Sequence, residues 1–186
     1  MTAPATRARL IEIIKTLSVE TGRTFKLASG RTSDFYCNLK PTMMDPEGAH
    51  LLGVLIAEAL DDTQADLVGG LEIGAVPLAT ATAAASFSRG NPRRAFFVRK
   101  QAKEHGTQNL IDGLRRGETV QGKRVVILED VTTTGGSSMK AIEAVRAAGA
   151  TVALVLTIVD RQEGAADVFK TANVPFRALI TAGDLR

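Results

Sequence analysis

The sequence predicts an α/β fold with a mostly parallel central sheet flanked by helices, and three observations carry that prediction. The runs Val125–Leu128 and Thr151–Val159 are apolar without alternation, as strands covered on both faces are. Between them Met139, Ile142, Val145 and Ala148 recur at helical spacing, with charged Lys140, Glu143 and Arg146 interleaved. Other strand-like and helix-like segments alternate in the same way, which implies parallel strands joined by right-handed crossovers.

Taken in order, Leu10, Ile13, Ile14 and Leu17 form the apolar stripe of a first helix. Asp45-Pro46 starts a second, carrying Leu52, Leu55, Ile56 and Ala59. Short extended pieces fall between them. Asp66–Leu71 reads as a strand, Gly74–Ser88 as an alanine-rich helix and Arg94–Arg99 as a strand. Phe176–Thr181 is a last candidate strand. No repeat or low-complexity tract interrupts the pattern.

Composition sets wider bounds. A chain of 186 residues, 45% of them hydrophobic, is long enough to bury one sizeable core, and the expectation is a single domain over 1–186. No apolar run is long enough to span a bilayer and MTAPATRARL lacks a signal-peptide core, so the expected location is the cytoplasm, without a membrane partner. The single Cys37 excludes an internal disulfide and a cysteine-rich metal site, leaving a small packing residue. A net charge of +3 suits polyanionic small substrates as well as nucleic acid.

The chemistry concentrates in VVILEDVTTTGGSS, Val125–Ser138. Glu129 and Asp130 emerge at the carboxyl end of a buried strand, where open α/β sheets place their ligands. Val131, Thr132, Thr133, Thr134, Gly135, Gly136 and Ser137 then form a turn that opens a helix. Glycines admit a ligand close to the backbone, hydroxyls add donors, and unpaired amides at a helix N-terminus point at an anion. A phosphate is held there without lysine. The carboxylates accept hydrogen bonds from a vicinal diol or bind hydrated magnesium. An anion-binding turn beside two acceptors suggests a ribose 5-phosphate, and the bland alternative is a capped loop with solvent-exposed acids. The glycines lack the Lys-Ser/Thr of a P-loop, and no GxGxxG opens a helix.

Three further segments invite a function. Arg99 to Thr107, RKQAKEHGT, follows a strand without periodicity and reads as a mobile basic loop that could surround a charged leaving group, or as a solvated hairpin. Arg161 follows the strand Thr151–Val159 and Asp160; it could hold a planar carboxylate in a bidentate pair, or pair with Asp160 at the surface. The turn Gly69-Gly70-Leu71-Glu72-Ile73-Gly74 either offers backbone amides to a phosphate or is only a tight connection.

The segment Val125–Ser138 resembles the phosphoribosyl pyrophosphate motif of type I phosphoribosyltransferases. With FKLASGRTSDFYCN (Phe25–Asn38), VRKQAKEHGT (Val98–Thr107) and VDRQEGA (Val159–Ala165), in that order and over nearly the whole chain, the sequence is similar to the orotate phosphoribosyltransferase family. That resemblance implies the type I fold with a small N-terminal hood over the base, made mainly from residues 1–45 and a C-terminal segment. It implies orotate and phosphoribosyl pyrophosphate as substrates, magnesium held through substrate and water rather than directly by protein, and a homodimer whose sites share the basic loop with the neighbouring subunit. Arg99, Lys100, Lys103 and His105 would contact pyrophosphate, with Lys103 the catalytic cation and His105 a phosphate ligand, a proton carrier or an exposed residue. Glu129 and Asp130 would hold the ribose hydroxyls, with Asp130 catalytic, and Val131 to Ser137 would hold the 5-phosphate. Thr133 and Arg161 would meet orotate, whose carboxylate distinguishes it from uracil.

The chain departs from that family in three places. Ala28 stands where many members have lysine in a Leu-Lys-Ser-Gly-Arg stretch, and Glu72-Ile73 where many have an aromatic-lysine pair. Lys26 and Lys40 are the candidate replacements. Cys37 stands where an aromatic residue is common beside the base. Two other functions compete. A transferase for another base would not need Arg161. A non-catalytic regulator could bind nucleic acid through Arg93-Arg94, Arg115-Arg116 and Lys123-Arg124, but the chain has no tryptophan, one tyrosine and no aromatic run among those pairs, which argues against a nucleic-acid partner.

Overall fold

The computed structural model describes residues 3–26, 32–101 and 110–186. Helix α1 (Ala3–Leu17) leads into a hairpin, β1 (Val19–Lys26) and β2 (Thr32–Cys37). Then follow α2 (Lys40–Met44), α3 (Pro46–Ala59), β3 (Leu67–Gly69), α4 (Ala75–Ser88), β4 (Arg94–Ala95), β5 (Phe97–Val98) and β6 (Ile111–Asp112). The C-terminal half runs β7 (Arg124–Thr132), α5 (Gly136–Ala147), β8 (Thr151–Asp160), α6 (Ala165–Thr171), β9 (Phe176–Thr181) and α7 (Ala182–Leu185).

Five strands form the central sheet in the order β4-β3-β7-β8-β9, every pair parallel. Its middle strand shows why the run at 125–128 carries no alternation. Val126 and Leu128 enter the core shared with α1, α3 and α4, while Val125 and Ile127 enter the core shared with α5 and α6. Strand β8 divides in the same way, with Leu154, Leu156 and Ile158 on the first side and Val152 and Val155 on the second. Because all five strands point the same way, their carboxyl ends share one edge, and the site lies along it.

The N-terminal elements do not join this sheet. Strands β1 and β2 form a separate antiparallel pair in which the Phe25 and Tyr36 rings stack at 5.2 Å. Phe35 of β2 reaches the edge of the main sheet, where the guanidinium groups of Arg161 and Arg186 lie 5.7 and 5.6 Å from its ring centre. Arg7 of α1 donates to the Leu179 carbonyl and to Asp184, each at 2.9 Å, tying the two chain ends together. No helix among the described residues is long and apolar enough to cross a membrane.

Several elements differ from expectation. Leu17 closes the predicted stripe of α1 but is exposed, because the chain turns away and Ser18 takes the buried position, its hydroxyl 2.7 Å from that of Thr42. The helix begun by Asp45-Pro46 is the third, since the five residues of α2 are too few to show a period. The expected strand at 94–99 breaks after Ala95: Phe96 packs against the backbone of Gly69, and Phe97–Val98 leave to pair with β6. The Asp66–Leu71 strand is shorter, ending at Gly69. Strand β7 runs through Thr132, so Glu129 and Asp130 stand near its carboxyl end, and Val131 and Thr132, expected in the turn, belong to the strand.

Asp45 caps α3 by accepting the Gly48 amide at 2.8 Å. Asp45→Ala is expected to lower stability by about 1 kcal/mol, read as a shift in the urea midpoint without change of slope.

Candidate active site

Two neighbouring clefts open along the carboxyl edge. One, of about 300 Å³, is lined by Glu129, Val131 to Ser138 and Lys140. The other, of about 160 Å³, is lined by Lys40, Leu71 to Gly74, Lys100, Glu129, Asp130 and Ser137. Glu129 and Ser137 belong to both.

The first cleft is the turn from β7 to α5. Gly135 sits at φ 83°, the left-handed region, and a Cβ there would come 2.9 Å from the Phe169 ring, so both backbone and packing require glycine. Nothing lies within 4 Å of a Cβ built on Gly136. The start of α5 therefore borders an open space lined by Thr133, Thr134 and Ser137, and the unpaired amides that a helix N-terminus carries suit a phosphate there. Thr132 instead turns inward, donating to Thr157 of β8 at 2.8 Å, and its carbonyl accepts the Arg161 amide at 2.9 Å. Thr132 thus fixes the turn to the next strand.

The carboxylates are held differently. Glu129 leans toward α5, where Ser138 donates to it at 2.7 Å, and is only 9% exposed. Burial pushes its carboxyl up to about 8, against the Ser138 hydrogen bond, with the Asp130 charge pushing in the same direction as burial. Asp130 leans toward the start of α4: its carboxylate would lie 2.7 Å from a Cβ on Gly74, and it accepts the Val131 amide at 2.9 Å. This packing gives the turn at 69–74 a role that its sequence did not reveal, since Gly74 leaves room for Asp130. The acids are therefore built into the edge of the sheet, not free in solvent as on a simple capped loop.

Arg161 is also enclosed, its side chain 8% exposed. Its partner is not Asp160, which accepts the Gln162 amide, but Glu163, whose carboxylate lies 3.0 Å from Nε. Sequence reasoning missed both Glu163 and Phe35, whose ring faces the guanidinium. It also missed Ser138. A serine one turn after an acidic strand end is a usable signal, whereas a ring from a separate hairpin leaves none. Cys37 is a packing residue as expected, its thiol pushed up to about 12 by burial, with Asp130 adding and Arg161 opposing.

The basic loop divides at its start. Lys100 lines the second cleft of its own chain and its amide donates to Glu72 at 2.9 Å, while Arg99 pairs with Asp112 at 3.1 Å and lies against the Phe97 ring. Lys103 and His105 lie outside the described residues, as does Ala28 and the side chain of Lys26. Among the described residues no group of three or more His, Cys, Asp and Glu could hold a metal. The two acids at the cleft are hard oxygen donors, so the donor set fits magnesium if an oxygen-rich ligand completes its shell. Of the basic pairs elsewhere, Arg94 is paired with Glu118 and Arg93 donates to the Ala65 carbonyl at 2.7 Å.

A parallel sheet with an anion-binding turn and two acids at its edge defines the phosphoribosyl transferase domain, and residues 45–177 match that family. An orotate phosphoribosyltransferase of Bradyrhizobium diazoefficiens is 62% identical over 184 residues, spanning 99% of this chain and 98% of the relative. The chain belongs to the orotate phosphoribosyltransferase family. Its fold superposes on the Mycobacterium tuberculosis enzyme in complex with Fe(III) dicitrate with TM-score 0.84 at 40% identity, covering 97% and 98% of the two chains. For that enzyme in complex with 5-phospho-α-D-ribosyl 1-diphosphate the TM-score is 0.79 at 33% identity, with 98% and 92% covered.

The raised carboxyl of Glu129 fixes the sign of a pH effect. From its ordinary 4.5 up to about 8 the folded chain keeps a proton that the unfolded chain has released, so stability falls as pH rises through that window. Glu129→Gln keeps an acceptor for Ser138 and removes the titration. Calorimetry is expected to show its melting temperature close to that of the parent near pH 4.5 and above it by several degrees near pH 8.5.

Proposed function

We propose that this chain transfers the 5-phosphoribosyl group of phosphoribosyl pyrophosphate to orotate, forming orotidine 5′-monophosphate and pyrophosphate in pyrimidine synthesis, as a magnesium-dependent homodimer in the cytoplasm. The observation that carries the reading is the acid pair Glu129 and Asp130 standing between a phosphate-sized turn and a cleft bearing two lysines.

The amides and hydroxyls from Val131 to Ser137 hold the 5-phosphate, with Thr132 bracing the turn. Asp130 and Glu129 accept from the ribose hydroxyls, and the negative charge of Asp130 favours a sugar that gains positive charge as its bond to pyrophosphate breaks. The ring nitrogen of orotate attacks the anomeric carbon with inversion as pyrophosphate leaves, so no protein nucleophile is needed. Asp130 and Glu129 are the acids beside which a magnesium ion would be held through substrate and water, and it would supply charge neutralisation to the leaving group. Lys100 and Lys103 add cationic donors to that group, with Lys103 the catalytic cation, and His105 contributes a further contact. Arg161, oriented by Glu163 and Phe35, pairs with the orotate carboxylate, and Thr133 borders the base. Positioning and electrostatics account for most of the acceleration.

Orotate, uracil, adenine and hypoxanthine offered in parallel with phosphoribosyl pyrophosphate and magnesium test the reading through pyrophosphate release. Turnover is expected with orotate alone, and turnover only with another base would overturn the base assignment. Arg161→Ala is expected to lower kcat/KM for orotate at least about a hundredfold, since it strips a carboxylate of a buried bidentate partner.

In the proposed dimer Arg99, which pairs with Asp112 and does not line the described clefts of its own chain, serves the neighbouring site, and Lys100, which lines the second cleft, serves its own. Inactive Arg99→Ala and Asp130→Ala subunits, mixed and re-assembled, are expected to recover about a quarter of parental activity, because half of random dimers carry one intact site. Lys100→Ala mixed with Asp130→Ala is expected to recover none. Recovery in the second mixture would assign Lys100 to the neighbour, and failure of the first would contradict sharing of Arg99.

A further inference from the structure

We propose that Lys40 is a pyrophosphate-binding residue, acting on the donor substrate within its own subunit; the inference rests on the transferase reading and adds a residue to its leaving-group site. The cleft of about 160 Å³ is lined by three carboxylates, Glu72, Glu129 and Asp130, and among the described residues by two cations, Lys100 and Lys40. A polyanion entering beside the carboxylates of Glu72 and Asp130 is repelled unless cations face it.

Lys40 is suited to that task by what it does not do. It lies within 4.0 Å of no carboxylate among the described residues, whereas Arg7, Arg9, Arg89, Arg94, Arg99, Arg161 and Arg177 all have acidic partners. Its base is fixed. The Lys40 amide donates to the Asn38 side chain at 3.2 Å, Pro41 follows as the first turn of α2 begins, and Thr42 is buried against Ser18. Its charge is thus presented from a pinned backbone to a cleft whose other cation arrives from the end of β5. Two lysines from separate elements suit a ligand with two phosphates, each lysine acting as a point charge with three donors. Among the described residues no hydrogen bond or ion pair depends on the ammonium, so its removal is expected to be felt by the ligand and not by the fold.

The test compares the full chain with Lys40→Gln and Lys40→Arg. The readouts are KM for phosphoribosyl pyrophosphate and for orotate, inhibition by pyrophosphate, and calorimetric binding of pyrophosphate with magnesium and of ribose 5-phosphate. Lys40→Gln is expected to raise KM for the donor and weaken pyrophosphate about 10- to 100-fold, the scale of one charged hydrogen bond, while KM for orotate and the affinity for ribose 5-phosphate stay within about twofold. The melting temperature is expected to hold, and Lys40→Arg to restore most of the loss. Unchanged pyrophosphate affinity in Lys40→Gln would overturn the assignment, as would equal weakening of pyrophosphate, orotate and ribose 5-phosphate, or an arginine variant as impaired as the glutamine one. If the parent fails to turn over orotate, the base reading falls, and the pyrophosphate calorimetry still decides Lys40.

Discussion

Placing carboxylates at the end of a strand buried on both faces is the constraint around which this molecule is arranged. A strand such as β7 can lie in the middle of a parallel sheet only if both faces are apolar, which Val125 to Leu128 provide. At its carboxyl end that requirement meets the opposite one, since a diol needs acceptors. The structure reconciles them locally. Ser138 from the first turn of α5 supports Glu129, the bare backbone of Gly74 at the start of α4 makes room for Asp130, and Thr157 of β8 receives the hydroxyl of Thr132. Glu129 still pays in ionisation, its carboxyl raised by burial. A ligand bearing cations or donors relieves that penalty, which makes the acid pair a binding device as well as a structural burden.

The sheet edge then assembles the rest. Parallel strands bring β3, β7 and β8 to the same side, so the turn at 69–74, the turn at 131–137 and Arg161 become neighbours although they are far apart in sequence. The hairpin and α2 come over this edge from the N-terminal side, contributing Phe35 beneath Arg161 and Lys40 at the second cleft. Enclosing Arg161 against Glu163 holds its guanidinium in one orientation, and a planar carboxylate benefits from that preorganisation. Glu72 and Ile73 line the cleft where many relatives of its family carry an aromatic-lysine pair, so a leaving group bound there as proposed meets a different set of charges.

Much of this was legible in the sequence because it is periodic or local. The double-sided burial of β7 and β8, the helical stripe of α5, and the full extent of β9 follow from hydropathy patterns that packing reinforces. The acid pair and the glycine turn are contiguous, so their site could be read from one segment. What escaped is short or remote. Helix α6, with its seven residues, and α2, with its five, are too brief for a period, and the break between β4 and β5 depends on Phe96 meeting the backbone of Gly69. Leu17 satisfied the stripe and still faces solvent because a helix buries a residue only where a neighbour covers it. Arg99 and Lys100 are adjacent in sequence yet serve different partners, Asp112 and the cleft, and only the fold says which of them meets the cleft. Glu163 lies two residues from Arg161 in a turn, where spacing gives no sign of pairing.

A crystal structure of the chain with phosphoribosyl pyrophosphate and magnesium, without base, tests the central claim most directly. The account predicts the 5-phosphate on the turn from Val131 to Ser137, the ribose hydroxyls at Asp130 and Glu129, and the pyrophosphate in the cleft of Lys40 and Lys100. A donor bound with its 5-phosphate outside the turn, or with its ribose hydroxyls turned away from both acids, would contradict it.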